Sequence, residues 1–242
     1  SYASGSIFEI SAYTRRHNDH YIFSRENPEI FQAFHKTEVK SVAFSGRHEQ
    51  TESFALNYSA QFIEDSIEST SLENNFTSRR YYKASILPEY KMSLKDEQQL
   101  TFRLGAAFDD TDRDDSEVSL IGDIAWITFN SDDSTQTLYL SYAEASQVAG
   151  YTAIGGSNTG GLFRSNYNLE RETTKNLELG LAFDGLTWSL DTAVFYRKDD
   201  DLTDWTYSLS STSARSANPV DIETLGWELL ATTRLANAEI IT

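Results

Sequence analysis

Apolar and polar residues alternate with a period of two along most of this chain of 242 residues. In the segment 186–197, for example, Leu186 and Trp188 fall on one face, whereas Ser189 and Asp191 fall on the other. Because successive side chains of a β-strand point to opposite sides, this pattern predicts strands. Helical periodicity is nearly absent, so the sequence predicts an all-β fold.

The alternation places about ten strands along the chain. They are expected at Ser6–Arg15, Thr37–His48, Ser53–Ile63, Arg79–Met92, Gln99–Asp109, Glu117–Phe129, Gln136–Ala145, Thr173–Phe183, Leu186–Arg197 and Ile222–Arg234. Several carry a charge in the middle of the polar face, such as Arg103, Glu178 and Asp191. Charges in these positions favour a sheet that borders a watery lumen. Pro88 removes a hydrogen-bond donor inside the fourth predicted strand, so a bulge or a break is expected there.

The connections between the predicted strands alternate between short and long. Among the short ones, Asp184-Gly185 between two alternating runs is typical of a two-residue hairpin turn. Long loops are expected at Arg16–Lys36, Glu64–Ser78, Asp110–Ser116, Ser146–Glu172 and Lys198–Asp221. Antiparallel strands place every second connection at one end of a sheet, so these loops should emerge together. Bacterial outer-membrane barrels have this arrangement, with tight periplasmic turns and larger extracellular loops.

Composition excludes several classes of protein. Only 39% of the residues are hydrophobic, and no run approaches the roughly 18 consecutive apolar residues that a membrane-spanning helix needs. The low hydrophobic content does not exclude a membrane barrel, because the strands of a barrel expose only alternate residues to lipid. The formal net charge of -17 argues against a nucleic-acid partner, since an acidic surface repels phosphates. The absence of cysteine excludes disulfides, thiolate metal ligands and cysteine nucleophiles.

No residue pattern in the chain predicts catalysis, so the protein is not expected to be an enzyme. The run Asp110–Asp114 begins like a calcium-binding EF-hand loop, but Asp115 stands in place of the required glycine and Ile121 in place of the glutamate. A looser calcium site in the acidic loops stays open. His17 and His20 frame a carboxylate and could bind a metal, although exposed loop histidines are the simpler explanation. The prediction is therefore no catalytic residue, no metal ligand and no cofactor.

The segment from Leu138 to Leu179 carries the most specific pattern in the chain. A short alternating strand passes through Ser141-Tyr142 into a long loop rich in glycine, serine and asparagine. The loop closes on Asn166-Tyr167-Asn168-Leu169-Glu170-Arg171-Glu172 and then Asn176-Leu177-Glu178-Leu179-Gly180. This layout resembles the barrel domain of TonB-dependent outer-membrane receptors, where such a loop closes on N-P-x-L-x-x-E-x-x-x-N-x-E-L-G. Tyr167 stands where the family usually has proline.

The resemblance implies an antiparallel up-and-down transmembrane β-barrel. Complete family members have a barrel of about 22 strands with a plug inside. Residues 1–242 are therefore expected to form a partial barrel, about ten strands of an open fragment, with the plug domain absent. The implied function is a receptor and transporter in the outer membrane of a Gram-negative bacterium, for a scarce nutrient such as a metal chelate or cobalamin. The implied partners are that nutrient, outer-membrane lipid, and the TonB complex and plug, which would act through other parts of the full-length protein.

Aromatic residues in the predicted long loops are the candidates for ligand contact, since they offer a large contact area at low entropic cost. They are Tyr151, Phe163, Tyr167, Trp205 and Tyr207. Packing between loops, or an interfacial girdle, is the simpler explanation of these residues. Two alternative functions stay open. One is a small complete outer-membrane barrel that acts as a porin-like channel or adhesin, which requires ten strands that close. The other is a soluble all-β carbohydrate-binding module, which requires apolar faces packed against each other.

Overall fold

The chain forms an extended β-meander, seen in a computed structural model that describes residues 5–73, 76–95, 97–159, 161–209, 211–235 and 238–241. The strands are β1 (Ser6–Ile22), β2 (Gln32–Glu49), β3 (Phe54–Ser69), β4 (Ser78–Lys95), β5 (Gln98–Thr111), β6 (Asp114–Phe129), β7 (Thr135–Gln147), β8 (Phe163–Arg164), β9 (Glu172–Asp184), β10 (Trp188–Ser208), β11 (Ser211–Leu235) and β12 (Ala238–Ile241). A 3-10 turn (Pro28–Ile30) follows β1, and a short helix, α1 (Tyr151–Gly155), follows β7. Within the described residues, no helix is both long and apolar enough to cross a membrane. All ten predicted strands are present.

These strands form a single open sheet. Its order is β1-β2-β3-β4-β5-β6-β7-β9-β10-β11-β12, and neighbouring strands are antiparallel. The two-residue β8 lies off this path and pairs in parallel with β11. Among the described residues, β1 and β12 are the two edges and do not pair with each other. This confirms the predicted unclosed partial barrel and contradicts a small barrel of ten strands that closes on itself.

One face of the sheet is apolar from edge to edge, and we call it the apolar face. The register places Leu140 of β7 opposite Leu179 of β9, which lies opposite Val194 of β10, which in turn lies opposite Trp227 of β11. Each of these side chains is 43% to 66% exposed, because no second layer of the described chain covers them. The apolar faces therefore do not pack against each other, which contradicts the soluble module.

Two rows of aromatic side chains border the apolar face. The row nearer the long-loop end consists of Phe62, Tyr82, Phe108, Tyr142 and Tyr196. The row at the opposite end consists of Phe54, Tyr90, Trp126, Phe183 and Trp188. Along β10 the two rows are separated by the stretch from Trp188 to Tyr196, which is close to the roughly ten residues that a tilted strand needs to cross a hydrocarbon core.

The opposite face, which we call the polar face, carries ion pairs that connect neighbouring strands. Arg103 of β5 pairs with Asp123 of β6 at 2.8 Å. Arg47 of β2 reaches across β3 to Glu89 of β4, also at 2.8 Å. Charged side chains in the middle of the strands suit a face that borders water, because charges on a face that contacts lipid destabilise a barrel.

At the long-loop end, the strands extend further than the alternation predicts. β10 and β11 continue through the segment 198–221 until Ser208 lies opposite Ser211, and β5 and β6 meet in a tight turn between Thr111 and Asp114. The loops predicted at Lys198–Asp221 and Asp110–Ser116 are therefore wrong, as is most of the loop predicted at Arg16–Lys36. Beyond the apolar face, polar residues predominate on both sides of these strands and apolar residues are scattered, so the sequence shows little contrast with a period of two.

Two local predictions also need correction. Pro88 causes neither a bulge nor a break, since it lies opposite Leu56 in an unbroken β4, and the register with β5 is the same on both sides of it. Its missing donor leaves only a local gap in the β4–β5 ladder. The hairpin predicted around Asp184-Gly185 exists, but its turn lies two residues later, where the amide of Gly185 donates to the carbonyl of Trp188 at 2.9 Å.

Candidate ligand-binding site

The connection between β7 and β9, residues 148–171, folds back onto the polar face, and we call it the inner loop. It contains α1 and β8. Its apolar residues build a small core against the sheet, made of Ala149, Ala153, Ile154, Leu169 and Ala217, with Phe76 and Trp205 packed against it. β8 pairs with β11 near its first residues, at Arg215 and Ser216. There the amide of Arg215 donates to the carbonyl of Leu162 at 2.7 Å. The inner loop is therefore a packed element and not a free segment.

A first clamp fixes the start of the inner loop to β3 and β4. The hydroxyl of Tyr151 donates to a carboxylate oxygen of Asp65 at 2.5 Å. Arg79 pairs with the same carboxylate at 2.8 Å, donates to the carbonyl of Ala149 at 2.9 Å, and lies 4.0 Å from the centre of the Tyr151 ring. Two main causes raise the pKa of the Tyr151 hydroxyl above its ordinary value. The larger is burial, and the second is the hydrogen bond to Asp65. The hydroxyl therefore stays protonated, and able to donate, at physiological pH.

A second clamp fixes the end of the inner loop to the β5–β6 hairpin. Arg171 pairs with Asp109 at 2.8 Å and donates to the carbonyl of Asp115 at 2.7 Å. Lys83 of β4 forms an ion pair with the same Asp109. Nearby, Arg113 donates to the carbonyl of Tyr167 at 2.7 Å. The acidic run that begins at Asp109 thus serves in part to hold the inner loop.

A cavity of about 600 Å³ lies between the inner loop, β1, β2 and the connection that follows β3. Its volume falls within the range of pockets that bind small molecules. The aromatic side chains that line it are Tyr21, Phe31, Phe163 and Trp205. The Phe163 ring lies at the centre of this group, with its centroid 5.9 Å from Tyr21, 5.5 Å from Phe31 and 5.2 Å from Trp205. These edge-to-face contacts give the cavity a firm aromatic wall.

The structure brings two of the five predicted ligand contacts together and separates the other three. Phe163 and Trp205 both line the cavity. Tyr151 is 7% exposed and is engaged in the first clamp. Tyr167 and Tyr207 are 57% and 54% exposed, and each lies under an arginine rather than in the cavity.

Five lining residues lie in the segment 16–36, which the alternation assigns to a loop: Asp19, Tyr21, Phe31, Ala33 and His35. Tyr21 belongs to β1, His35 belongs to β2, and Phe31 immediately precedes β2. The register places Tyr21 opposite Ala33, and Asp19 opposite His35. Tyr21 and Phe23, and likewise Phe31 and Ala33, are two positions apart, which was the available signal. The mostly polar residues from Ser24 to Glu29 interrupt this alternation, so the pattern was too short to predict strands.

The two histidines that frame a carboxylate in the sequence, His17 and His20, do not lie side by side on one face of the sheet. His17 and His20 lie on β1 and are separated by an odd number of positions, so their side chains point to opposite faces of the sheet. His20 stacks on Phe34, with ring centroids 4.0 Å apart. Across the described ranges, no group of three or more histidine, cysteine or acidic residues is placed to hold a metal ion.

Comparison with known proteins identifies the family. A family model described as "TonB dependent receptor-like, beta-barrel" matches residues 2–239. No curated protein sequence matches the chain. Among solved structures, the chain is similar to "Copper transporter OprC", with a TM-score of 0.63 and 14% identity over 96% of this chain and 41% of that one. It is also similar to the FrpB iron transporter from Neisseria meningitidis, with a TM-score of 0.61 and 15% identity over 95% of this chain and 38% of that one.

A third similar structure is the ferripyoverdine receptor of the outer membrane of Pseudomonas aeruginosa, with a TM-score of 0.58 and 13% identity over 97% of this chain and 37% of that one. The chain thus spans about two fifths of the length of these structures. At such low identity, structural similarity shows the fold alone, whereas the family model covers nearly every residue. The chain belongs to the TonB-dependent receptor family, within its β-barrel.

Proposed function

We propose that this chain is part of the barrel wall of an outer-membrane receptor that imports a scarce nutrient into a Gram-negative bacterium. The observation that carries the proposal is the two-sided sheet. Its apolar face, bordered by two aromatic rows, suits lipid. Its polar face carries ion pairs and holds the inner loop beside an aromatic cavity. The similar structures include a copper transporter and an iron transporter by name.

In this proposal the long-loop end of the sheet faces the outside of the cell. The nutrient, a metal chelate, cobalamin or a similar compound, first contacts the cavity beside the inner loop. The role of this chain is to bind and position the nutrient above the lumen, and its polar face forms the wall of the path inward. Energy from the TonB complex, and the plug that it acts on, would come through other parts of the full-length receptor.

The aromatic wall of the cavity gives the proposal a direct test. In the full-length receptor, we expect Phe163→Ala and Trp205→Ala each to weaken nutrient binding at least tenfold, about the effect of removing a buried aromatic anchor. Binding of ferric hydroxamate chelates, cobalamin and cupric ion would be measured by titration of the purified receptor, and uptake by growth of a strain that depends on it. Tyr207→Ala, which removes an exposed aromatic residue outside the cavity, should leave binding unchanged.

Because Trp205 also packs against the small core, loss of binding in Trp205→Ala alone could reflect an undocked loop. Phe163→Leu keeps an apolar side chain in β8 and should weaken binding less than Phe163→Ala while leaving the loop docked. Wild-type binding and uptake in Phe163→Ala would contradict a ligand site at this cavity.

A further inference from the structure

The cavity beside the inner loop carries negative charge that the protein itself does not neutralise. Asp19 of β1 and Glu73, which follows β3, are its only charged lining groups among the described residues. Both are exposed, and neither forms a salt bridge within the described part of the chain. Arg164 directly follows the lining residue Phe163 in β8, but Arg164 itself is not part of the lining.

Two carboxylates that hold the inner loop, Asp65 and Asp109, differ from these two because each is matched by a cation. Asp65 is paired with Arg79, and Asp109 is paired with both Lys83 and Arg171. The pairs formed by Arg79 and Arg171 are largely buried and hold the loop. The two carboxylates of the cavity are therefore set apart from the structural ion pairs by both their position and their lack of a partner.

The aromatic wall supplies a second feature that favours the same kind of ligand. A cation is attracted to the face of an aromatic ring, and the attraction increases when both are partly removed from water. Tyr21, Phe31, Phe163 and Trp205 provide such surfaces beside the carboxylates. An anionic ligand in this cavity would meet two like charges and no guanidinium or ammonium group from the lining, which costs free energy at short range.

We propose that this cavity selects nutrients that carry a positive charge, in particular metal chelates with a free amine, over neutral and anionic analogues. The proposal rests on the function proposed above and adds the charge class of the ligand. Asp19 and Glu73 attract the ammonium group, while the aromatic wall contacts the body of the chelate. The long-range part of this attraction also steers the ligand toward the cavity and weakens at high ionic strength.

The test uses three forms of one ferric trihydroxamate chelate: with a terminal primary amine, with that amine acetylated, and with it succinylated. They share one metal-binding core and are cationic, neutral and anionic. Binding to the full-length receptor in detergent would be measured by quenching of tryptophan fluorescence. We expect the amine form to bind roughly tenfold more tightly than the acetylated form, and the succinylated form to bind most weakly. The preference should shrink when the salt concentration rises from about 0.02 M to about 0.5 M.

Neutral variants of the two carboxylates link this preference to the cavity. Asp19→Asn combined with Glu73→Gln should bring the three affinities to within roughly twofold of one another. Glu29→Gln, which removes one exposed negative charge from the 3-10 turn at the same end of the sheet, should leave the preference intact.

Three results would overturn the inference: equal affinities of the three forms for the unaltered receptor, a preference that survives in the double variant, or no binding of the amine form up to about 1 mM. If the unaltered receptor binds the three forms equally well and Phe163→Ala binds none of them, the charge preference is overturned. The proposed function would still stand. A charge preference in a receptor whose deletion leaves nutrient uptake unchanged would overturn the proposed function alone.

Discussion

Replacing Arg79 with alanine is expected to release the inner loop from the sheet, with a loss of about 3–5 kcal/mol in the free energy of loop docking. The reason is that Arg79 and Asp65 are largely buried, with side chains 10% and 17% exposed. Removing the guanidinium leaves the Asp65 carboxylate without its cationic partner and the carbonyl of Ala149 without its donor. Tyr151 also loses the cation that lies over its ring.

Hydrogen exchange of the amides in residues 148–171, in the full-length receptor in detergent, measures this free energy directly. Arg16→Ala is the matched control, because it breaks a pair with Glu38 in which the side chains are 63% and 31% exposed. Exposed pairs of this kind contribute about 0–1 kcal/mol. If exchange in Arg79→Ala is as slow as in Arg16→Ala, the first clamp does not hold the inner loop.

Placing a charge on the apolar face is expected to destabilise the folded barrel far more than placing the same charge on the polar face. Leu179→Arg puts a guanidinium in the middle of the apolar face, where the cost is about 2–4 kcal/mol if that face contacts the bilayer. Ser141→Arg puts the same group on the polar face, opposite Glu178, and should change stability by less than about 1 kcal/mol.

The two variants make a close comparison, since Leu179 lies opposite Leu140, the residue next to Ser141. Stability would be measured by urea unfolding of the full-length receptor in phospholipid vesicles. Similar costs for the two variants would mean that the apolar face does not contact lipid in the folded receptor.

Strand positions and faces could be predicted because the physical signal for them is local. Wherever one face is apolar and the other polar, as from Trp188 to Arg197, the alternation gives the strand and the direction of each side chain. The signal is lost where polar residues predominate on both faces and apolar residues are scattered. The residues Thr203–Ser208 and Ser211–Val220 read as a loop for this reason, although they form a long two-stranded extension in which even Pro219 lies opposite Thr203.

The position of the inner loop could not be predicted, because it depends on pairs that are distant in the sequence. Asp65 and Tyr151, or Asp109 and Arg171, become neighbours only after the sheet has formed. The sequence pattern located the loop and its closing element, including Leu169, which is buried in the small core. It did not distinguish aromatic residues that line the cavity, such as Phe163, from one that fixes the loop, Tyr151.

The central claim is that the apolar face of the sheet contacts lipid while the polar face contacts water or protein. This chain contains no cysteine of its own. Single cysteines can be introduced along β9 of the full-length receptor, with any cysteine outside this chain replaced by serine, and labelled with a nitroxide after reconstitution into vesicles. Accessibility to oxygen, which concentrates in lipid, would then be compared with accessibility to a water-soluble nickel chelate. We expect labels at Leu177, Leu179 and Leu181 to be accessible to oxygen, and labels at Glu178 and Ala182 not to be. An absence of this alternation, or an alternation with the opposite phase, would contradict the account.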